Sequence, residues 1–265
     1  MKHLIAGLVF FSFTISACSP GPKEKEYTKW TGKTMGTYYS IVFEAKKPLE
    51  QRKVDSIFLA INSSVSTYDP SSLISRFNNA GISDFPIDDH FKNNLLEARD
   101  IYEVSEGSFD PTVMPLVNYW GFGYTGHTAV SELDTLKIDS IRAYTGMQHI
   151  SYTTKQDTSF VRKDRPEVKL DFSALAKGYA ADVVSNWFIR EGISNHLIEI
   201  GGDGLAMGKA KGDRDWRFGI NEPLEDSAIN SFYQVISLSD RAIATSGNYR
   251  NYFEARFDKV VHHHP

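Results

Sequence analysis

The chain has 265 residues, of which 41% are hydrophobic and 23% charged, and this is enough for one large domain or two small ones with a real hydrophobic core. Its formal net charge is −4 and no basic stripe runs along it, which argues against a nucleic-acid partner. Aromatic residues make up 13%, an amount that suits stacking on a planar ring but also fits an ordinary β-rich core.

The first residues predict a targeting segment and not part of the fold. A short positive start is followed by the apolar run "LIAGLVFFSFTISA" (4–17), which is too short for a comfortable membrane span. The run ends in small residues before Cys18, a pattern that resembles a bacterial lipobox, in which the cysteine is lipidated and becomes the mature N-terminus. We therefore predict a lipoprotein signal peptide at 1–17; an ordinary signal peptide followed by a chance cysteine is the alternative.

This prediction implies a lipid-anchored protein of the bacterial cell envelope, on its periplasmic side. Cys18 is the only cysteine in the chain, so no internal disulfide can form. The proline, glycine and alternating charges that follow predict a tether over 18–26. We expect a single folded domain over 27–265.

Strands and helices alternate irregularly in the first half of the chain. Residues rich in Thr and Tyr predict two strands over 27–45, and apolar residues at helical spacing predict a helix over 49–68. The pairs Asp69-Pro70 and Asp110-Pro111 each indicate a helix start, because aspartate caps a helix and proline suits its first position. Further helices, each ended by a glycine, are predicted at 90–107, 132–146 and 174–192.

Most of the remaining predicted elements are consecutive strands joined by glycine and aspartate turns. They lie at 149–154, 159–163, 167–172, 196–210, 216–223, 233–247 and 252–261. Consecutive strands favour an α+β fold with a largely antiparallel or mixed sheet and flanking helices over a doubly wound parallel sheet.

The stretch "LDFSALAKGYAAD" (170–182) has residues at a helix start that an ordinary core helix does not need. The first turns of a helix offer unpaired N–H groups and a partial positive charge, which favour a phosphate, and small side chains let a ligand approach the backbone. Lys177 can add a full charge there or simply be solvated. Asp171 can cap the helix or accept a hydrogen bond from a ligand N–H. The stretch "IGGDG" (200–204) is by itself typical of a tight turn between strands.

Six separated stretches make the chain resemble the ApbE family of FAD:protein FMN transferases. They follow the family's order, cover about residues 33 to 253 and read "KTMGTYYSI", "VSTYDPSSLISRFN", "SEGSFDPTVMPLVNYWGFG", "LDFSALAKGYAAD", "LIEIGGDGLAMGK" and "AIATSGNYRNYF". The resemblance implies an enzyme that uses FAD and Mg²⁺, moves the FMN half of FAD onto a Thr or Ser of a partner protein, and releases AMP. The acceptor is then expected to be a membrane or exported redox subunit.

The resemblance also implies roles for individual residues. Ala174 matches the position whose backbone carbonyl binds the metal. The positions that match residues contacting FAD are Met35, Tyr68, Ser108, Phe109, Asp110, Asp171 and Lys177.

The sequence departs from the family's pattern after "TSGNYRNYF". Family members continue with a His and a turn that contains proline, and later with an Asp and a Thr or Ser that complete the metal site. Here the chain ends in "VVHHHP", so His262 matches the family's His, taken as the catalytic base, only through a one-residue slip. A tag remnant or a divergent end is the alternative origin of this His run. We expect the sequence to be a fragment of a longer gene product and not a degenerate family member.

Three functions follow as hypotheses from the resemblance. The chain is a lipid-anchored flavin transferase, a flavin-holding lipoprotein without turnover, or a periplasmic FAD pyrophosphatase that yields FMN and AMP. Each of them requires FAD to bind, and they differ in what happens to its diphosphate.

Overall fold

A computed structural model of the chain describes residues 26–124, 133–223 and 231–247, together with two short strands at 252–254 and 261–263. Cys18, the predicted signal peptide and nearly all of the predicted tether lie outside these residues. Within the described ranges, no helix combines the length and the apolar character needed to cross a membrane.

The described elements comprise six α-helices, twelve strands and one short 3₁₀ turn. The helices are α1 (Gln51–Val65), α2 (Leu73–Asn79), α3 (Asp89–Val104), α4 (Met114–Tyr119), α5 (Thr135–Arg142) and α6 (Ala176–Arg190), and the 3₁₀ turn is Met147–His149. The strands are β1 (Tyr27–Thr34), β2 (Thr37–Glu44), β3 (Phe85–Ile87), β4 (Ile150–Lys155), β5 (Thr158–Lys163), β6 (His196–Ile200), β7 (Asp203–Met207), β8 (Trp216–Asn221), β9 (Phe232–Leu238), β10 (Arg241–Ile243), β11 (Tyr252–Glu254) and β12 (Val261–His263).

The strands form one five-stranded sheet and three smaller sheets. The large sheet has the order β1-β2-β6-β7-β10, and the small ones are β3-β5-β4, β8-β9 and β11-β12. Every pairing is antiparallel. The α+β architecture predicted from the sequence, with antiparallel sheets and flanking helices, is therefore confirmed.

The main core lies between the five-stranded sheet and the helices α1, α3 and α6. Side chains alternate along β2, so Tyr39, Ile41 and Phe43 point into this core and are almost completely buried. The ring of Phe188 on α6 lies 4.8 Å from that of Phe43, centroid to centroid. Small buried residues such as Ala180 let the backbone of α6 approach the sheet closely.

Both Asp-Pro pairs lie before a helix but do not begin it, so the two predicted helix starts are each wrong by three residues. Asp69 accepts hydrogen bonds on Oδ1 from the N–H and the hydroxyl of Ser71, and the next helix begins at Leu73 with Ser72 as its cap. Each aspartate closes a turn with the residue two positions later, because a short acidic side chain bonds its own backbone more easily than a distant helix end.

The same device occurs after the second pair. Asp110 accepts on Oδ1 from the N–H of Thr112 at 2.8 Å and from its hydroxyl at 2.6 Å. The helix α4 then begins at Met114.

Residues 167–172 are not a strand, although the sequence predicts one. Val168, Leu170 and Phe172 are fully buried, as the alternating pattern requires. The backbone of Leu170, however, is bonded by a side chain: Asn78 donates from Nδ2 to its carbonyl and accepts from its N–H on Oδ1, both at 2.8 Å. The alternation of apolar residues therefore identified the buried side chains correctly, but it did not identify the group that hydrogen-bonds the backbone.

A buried lysine secures the same segment. Lys163 has no exposed surface, and its ammonium donates to the carbonyls of Asn78, Pro166 and Val168 at 3.0–3.1 Å. Burial lowers the pKa of Lys163 to about 8, with a smaller contribution from the nearby charge of Lys169. The loop that leads to Asp171 is thus held by polar contacts inside the protein.

Replacing Asn78 by Ala is expected to destabilise the protein by about 2–4 kcal/mol, since the buried N–H and carbonyl of Leu170 would both lose their partner. Urea unfolding measures this change, and the m-value is expected to stay the same. The neighbouring Asn79 is exposed, so Asn79→Ala provides the control and is expected to change stability by less than about 0.5 kcal/mol. Equal stabilities of the two variants would show that the hydrogen bonds between the Asn78 side chain and the backbone of Leu170 do not stabilise the fold.

A second prediction concerns His196, which is fully buried and bonded through Nε2 to the hydroxyl of Ser185 at 2.8 Å. Burial lowers the pKa of His196 from 6.5 to about 4. The unfolded chain therefore binds a proton near pH 6.5 that the folded chain does not bind until near pH 4, so folding stability falls as the pH falls through this window.

The expected loss from this histidine is about 2–3 kcal/mol between pH 7 and pH 4. His196→Gln, which does not titrate, is expected to lose correspondingly less stability over the same range. Chemical unfolding at several pH values measures both proteins, and parallel curves would show that His196 does not contribute to the pH dependence.

Candidate functional site

Two tight turns lie side by side at one end of the five-stranded sheet. Met35 and Gly36 join β1 to β2 with φ angles of 50° and 71°, and Gly201 and Gly202 join β6 to β7 with φ angles of 57° and 93°. The N–H of Gly201 donates to the carbonyl of Tyr38 at 3.0 Å, which ties the second turn to the beginning of β2. "IGGDG" therefore forms the tight turn that the sequence predicts, and the predicted FAD contact Met35 occupies the neighbouring turn.

The left-handed conformation explains the two glycines of the second turn. A Cβ atom at Gly201 would lie 2.7 Å from Cγ2 of Thr37, which is too close for any other residue. The two turns can therefore approach each other only with glycine at this position.

The helix α6 begins at Ala176, two residues later than predicted. The N–H groups of Leu175 and Ala176 both donate to the carbonyl of Phe172, at 2.9 and 2.8 Å, and form a separate turn before the helix. The next two N–H groups, of Lys177 and Gly178, bond no acceptor among the described residues. A Cβ atom at Gly178 would meet nothing within 4 Å, so space is open beside this helix start. Unpaired N–H groups and the helix dipole make it suitable for an anion.

Lys177 is paired with an aspartate that the sequence analysis did not select. Its ammonium lies 2.8 Å from Oδ2 of Asp203, and the two side chains are only 30% and 18% exposed. Asp203 also accepts on Oδ1 from the N–H of Thr245 at 3.0 Å, while the hydroxyl of Thr245 donates to the carbonyl of Gly202 at 2.9 Å. The signal for Asp203 was present, because it is the one acidic residue in an otherwise small and apolar turn, "IGGDG".

Asp171 and Asp110 are connected through Pro111. The N–H of Asp171 donates to the carbonyl of Pro111 at 2.8 Å, and Asp110 is the residue just before this proline. Asp171 accepts on Oδ1 from the N–H of Ser173 at 3.0 Å and from its hydroxyl at 2.5 Å. Of the two roles left open for Asp171, a local cap is therefore present, but it closes the turn before α6 and not the helix itself.

Tyr68 lies near Asp171. Partial burial, followed by the negative charge of Asp171, raises the pKa of Tyr68. Tyr68 is 67% exposed, so much of its ring is accessible from solvent. The two residues are far apart in sequence, and the fold brings them near each other; their contacts with FAD stay predictions.

The remaining predicted contacts lie after α3 or in the C-terminal strands. Ser108 is exposed, whereas Phe109 is half-buried against the main core and donates its N–H to the hydroxyl of Ser105 at 3.0 Å. His262 belongs to β12, where its strand partner is Phe253, and its role as a base stays a prediction.

The described residues do not by themselves fit a magnesium site. Ala174 is exposed, and its carbonyl takes no backbone hydrogen bond from the rest of the described chain, so this single oxygen is available to a cation. In the described ranges, however, no three His, Cys, Asp or Glu side chains cluster in a way that suits a metal ion. Mg²⁺ usually takes one or two carboxylates together with substrate phosphates and water.

Comparison with known proteins gives one consistent result. The model of the ApbE family matches residues 35–264. The FAD:protein FMN transferase of Vibrio cholerae serotype O1 is 35% identical over 248 residues, covering 90% of this chain and 72% of the relative. The protein of the same name from Escherichia coli K12 is 31% identical over 265 residues, covering 98% of this chain and 75% of the relative.

Solved structures agree with the sequence relatives. The flavin transferase ApbE from Vibrio cholerae superimposes with a TM-score of 0.73 at 33% identity, covering 89% of this chain and 75% of that one. The apo form of the Pseudomonas stutzeri flavinyl transferase ApbE gives a TM-score of 0.75 at 30% identity, covering 88% of this chain and 72% of that one. The family model covers residues 35–264, and relatives above 30% identity cover most of both chains, so the chain belongs to the ApbE family.

Proposed function

We propose that the chain is an FAD:protein FMN transferase, which moves the FMN half of FAD onto a Thr or Ser hydroxyl of a partner protein and releases AMP. The observation that carries this proposal is the amino end of α6, with two unpaired N–H groups and Lys177, in a chain about a third identical to transferases of that name. It is the place where the described residues best receive a diphosphate.

The reaction needs few changes of bonding. The oxygen of the acceptor hydroxyl attacks the phosphorus of the FMN half, the bond from that phosphorus to the bridging oxygen breaks, and the bridging oxygen leaves with AMP. The hydroxyl proton passes to a base, for which His262 is the candidate. Most of the work left for the protein is to position the diphosphate and to stabilise the charge on its oxygens.

The described side chains divide this work. The N–H groups of Lys177 and Gly178 carry partial positive charge and face the diphosphate. The ammonium of Lys177 adds a full positive charge. Tyr68 offers an exposed ring on which an isoalloxazine can stack, and Asp171 beside it accepts a hydrogen bond from an N–H of the flavin or adenine. Met35, Ser108, Phe109 and Asp110 complete the proposed FAD contacts.

Magnesium dependence and location belong to the proposal as well. The family resemblance is the support for Mg²⁺ and for Ala174 as one of its ligands, and removal of the ion tests it. The lipobox-like sequence at Cys18 supports a lipid anchor and a place on the periplasmic side of the envelope, with an exported or membrane protein as acceptor.

A membrane fraction from a strain that lacks this gene tests the transferase, because it contains the acceptor without flavin. The purified chain and FAD are added, and the proteins are separated on a denaturing gel that is viewed for flavin fluorescence. We expect a fluorescent band with FAD, none with riboflavin, and none after EDTA treatment. Free FMN without a band would indicate a pyrophosphatase, and unchanged FAD would indicate a binding protein, so either result would contradict the transferase.

Replacing Asp171 by Ala is expected to weaken FAD binding by about 10- to 100-fold, the usual cost of one hydrogen bond to a charged group. Quenching of flavin fluorescence measures the affinity. Asp171→Asn can still accept the N–H of Ser173, so it is expected to keep the turn and still lose affinity. Asp134→Ala removes an aspartate that caps α5 and is expected to bind FAD normally.

The assignment of Asp171 would be wrong if Asp171→Ala bound FAD as tightly as the parent. It would also be wrong if Asp171→Asn bound FAD like the parent while Asp171→Ala did not. In that second case Asp171 would act only through the turn with Ser173.

A further inference from the structure

Asp203 has two bonded partners that belong to different parts of the fold. One carboxylate oxygen lies 2.8 Å from the ammonium of Lys177 on α6, and the other accepts the N–H of Thr245 after β10 at 3.0 Å. The carbonyl of Gly202 accepts a hydrogen bond from the hydroxyl of the same threonine. The turn between β6 and β7 therefore connects the helix start with the edge strand of the large sheet.

The ion pair between Lys177 and Asp203 is more deeply buried than an ordinary surface ion pair. The pair between Lys209 and Asp215, at the other end of β7, is similarly short, at 2.7 Å, but its side chains are 42% and 47% exposed. Those of Lys177 and Asp203 are 30% and 18% exposed. A partly buried carboxylate restrains its lysine more firmly, because fewer waters compete for the ammonium.

A lysine that serves a phosphate benefits from such a restraint. Its ammonium is a compact charge at the end of four flexible carbon–carbon bonds, so without a partner it samples many positions. In protein kinases a lysine that contacts the phosphates of ATP is held by a glutamate, and phosphoryl transfer requires this pair. Asp203 and Lys177 have the same chemistry on an unrelated fold.

We propose that Asp203 is a positioning residue for the transfer, because it holds the ammonium of Lys177 in one place at the turn that lies next to the start of α6. This inference rests on the proposed function and assigns Asp203 a part in it. Asp203 contacts the lysine, and in this proposal it acts on the reaction only through Lys177.

Asp203 is expected to affect the rate of transfer much more than the binding of FAD. A carboxylate close to a diphosphate opposes binding of FAD, while a fixed ammonium favours it, so the two effects offset each other in the affinity. During transfer, negative charge builds up on particular oxygens of the diphosphate. An ammonium that is held in position beforehand stabilises this charge without having to move. Loss of Asp203 is therefore expected to change the rate and leave the affinity almost unaltered.

The test uses Asp203→Asn, in which the amide oxygen can still accept the N–H of Thr245 but the negative charge that pairs with the ammonium of Lys177 is gone. Flavin fluorescence measures FAD affinity, and the membrane fraction from the gene-deletion strain serves as acceptor for the initial rate at saturating FAD. We expect an affinity within about threefold of the parent and a rate lower by about tenfold or more.

A double-mutant cycle with Lys177→Met separates positioning from a general structural role. We expect Asp203→Asn to slow the parent but to add nothing to Lys177→Met. Asp215→Asn, which breaks the exposed pair with Lys209, is the matched control and is expected to leave the rate unchanged.

A normal rate for Asp203→Asn would overturn the inference, as would an equal loss of rate in the Lys177→Met background. A loss confined to FAD affinity would overturn it as well. In each of these outcomes the parent still labels the acceptor, so the proposed function stands. A parent protein that labels nothing would instead contradict the proposed function itself.

Discussion

The packing of α6 against the five-stranded sheet is the contact on which the candidate site depends. Ala176, Ala180 and Val184 turn a surface of small side chains toward the sheet, and the larger Phe188 anchors the far end of the helix against Phe43. A helix that lies so close to β6 and β7 has its first turn next to the turn that joins these strands. A shift of the helix would move the start of α6 away from Asp203. The short aspartate side chain could not follow, and its ion pair with Lys177 would be lost.

Polar contacts inside the protein fix the segment that enters this helix. Residues 166–171 pair with no strand, and several of their backbone groups instead bond Asn78, Pro111 and Lys163. The side chains that bond this segment fix its position in place of a helix or a strand. They place Asp171 near Tyr68. Buried polar networks of this kind specify one arrangement because each unpaired member would carry a penalty.

The sequence predicts the burial of this region better than its hydrogen bonding. The alternation of Val168, Leu170 and Phe172 depends on hydrophobicity alone, and all three are buried as expected. Whether the backbone of Leu170 meets a strand or an asparagine depends on a residue 92 positions away, and no local pattern contains that information. A period of two then predicts a strand because most alternating segments are strands.

The site shows the same division between local and distant causes. The glycines of "IGGDG" predict their turn, since the left-handed conformation is a local requirement. Lys177 was expected to face a phosphate, but its pairing with Asp203 depends on where a helix meets a hairpin, 26 residues later in the chain. Likewise Asp69 and Asp110 were predicted to be helix caps, and each instead closes its own turn because a serine or threonine stands two positions later.

The net charge of the chain shows why the positive groups have to be at the helix start itself. A formal charge of −4 gives the whole molecule no attraction for an anionic dinucleotide, and charges farther away than about 8 Å are screened at physiological ionic strength. In the proposed function, a diphosphate is therefore recognised by groups within contact distance, namely the N–H groups of Lys177 and Gly178 and the ammonium of Lys177. Because Asp203 offsets the charge of that ammonium, the proposal assigns the net positive potential to the backbone dipoles and assigns to the lysine a charge whose position is fixed before the substrate arrives.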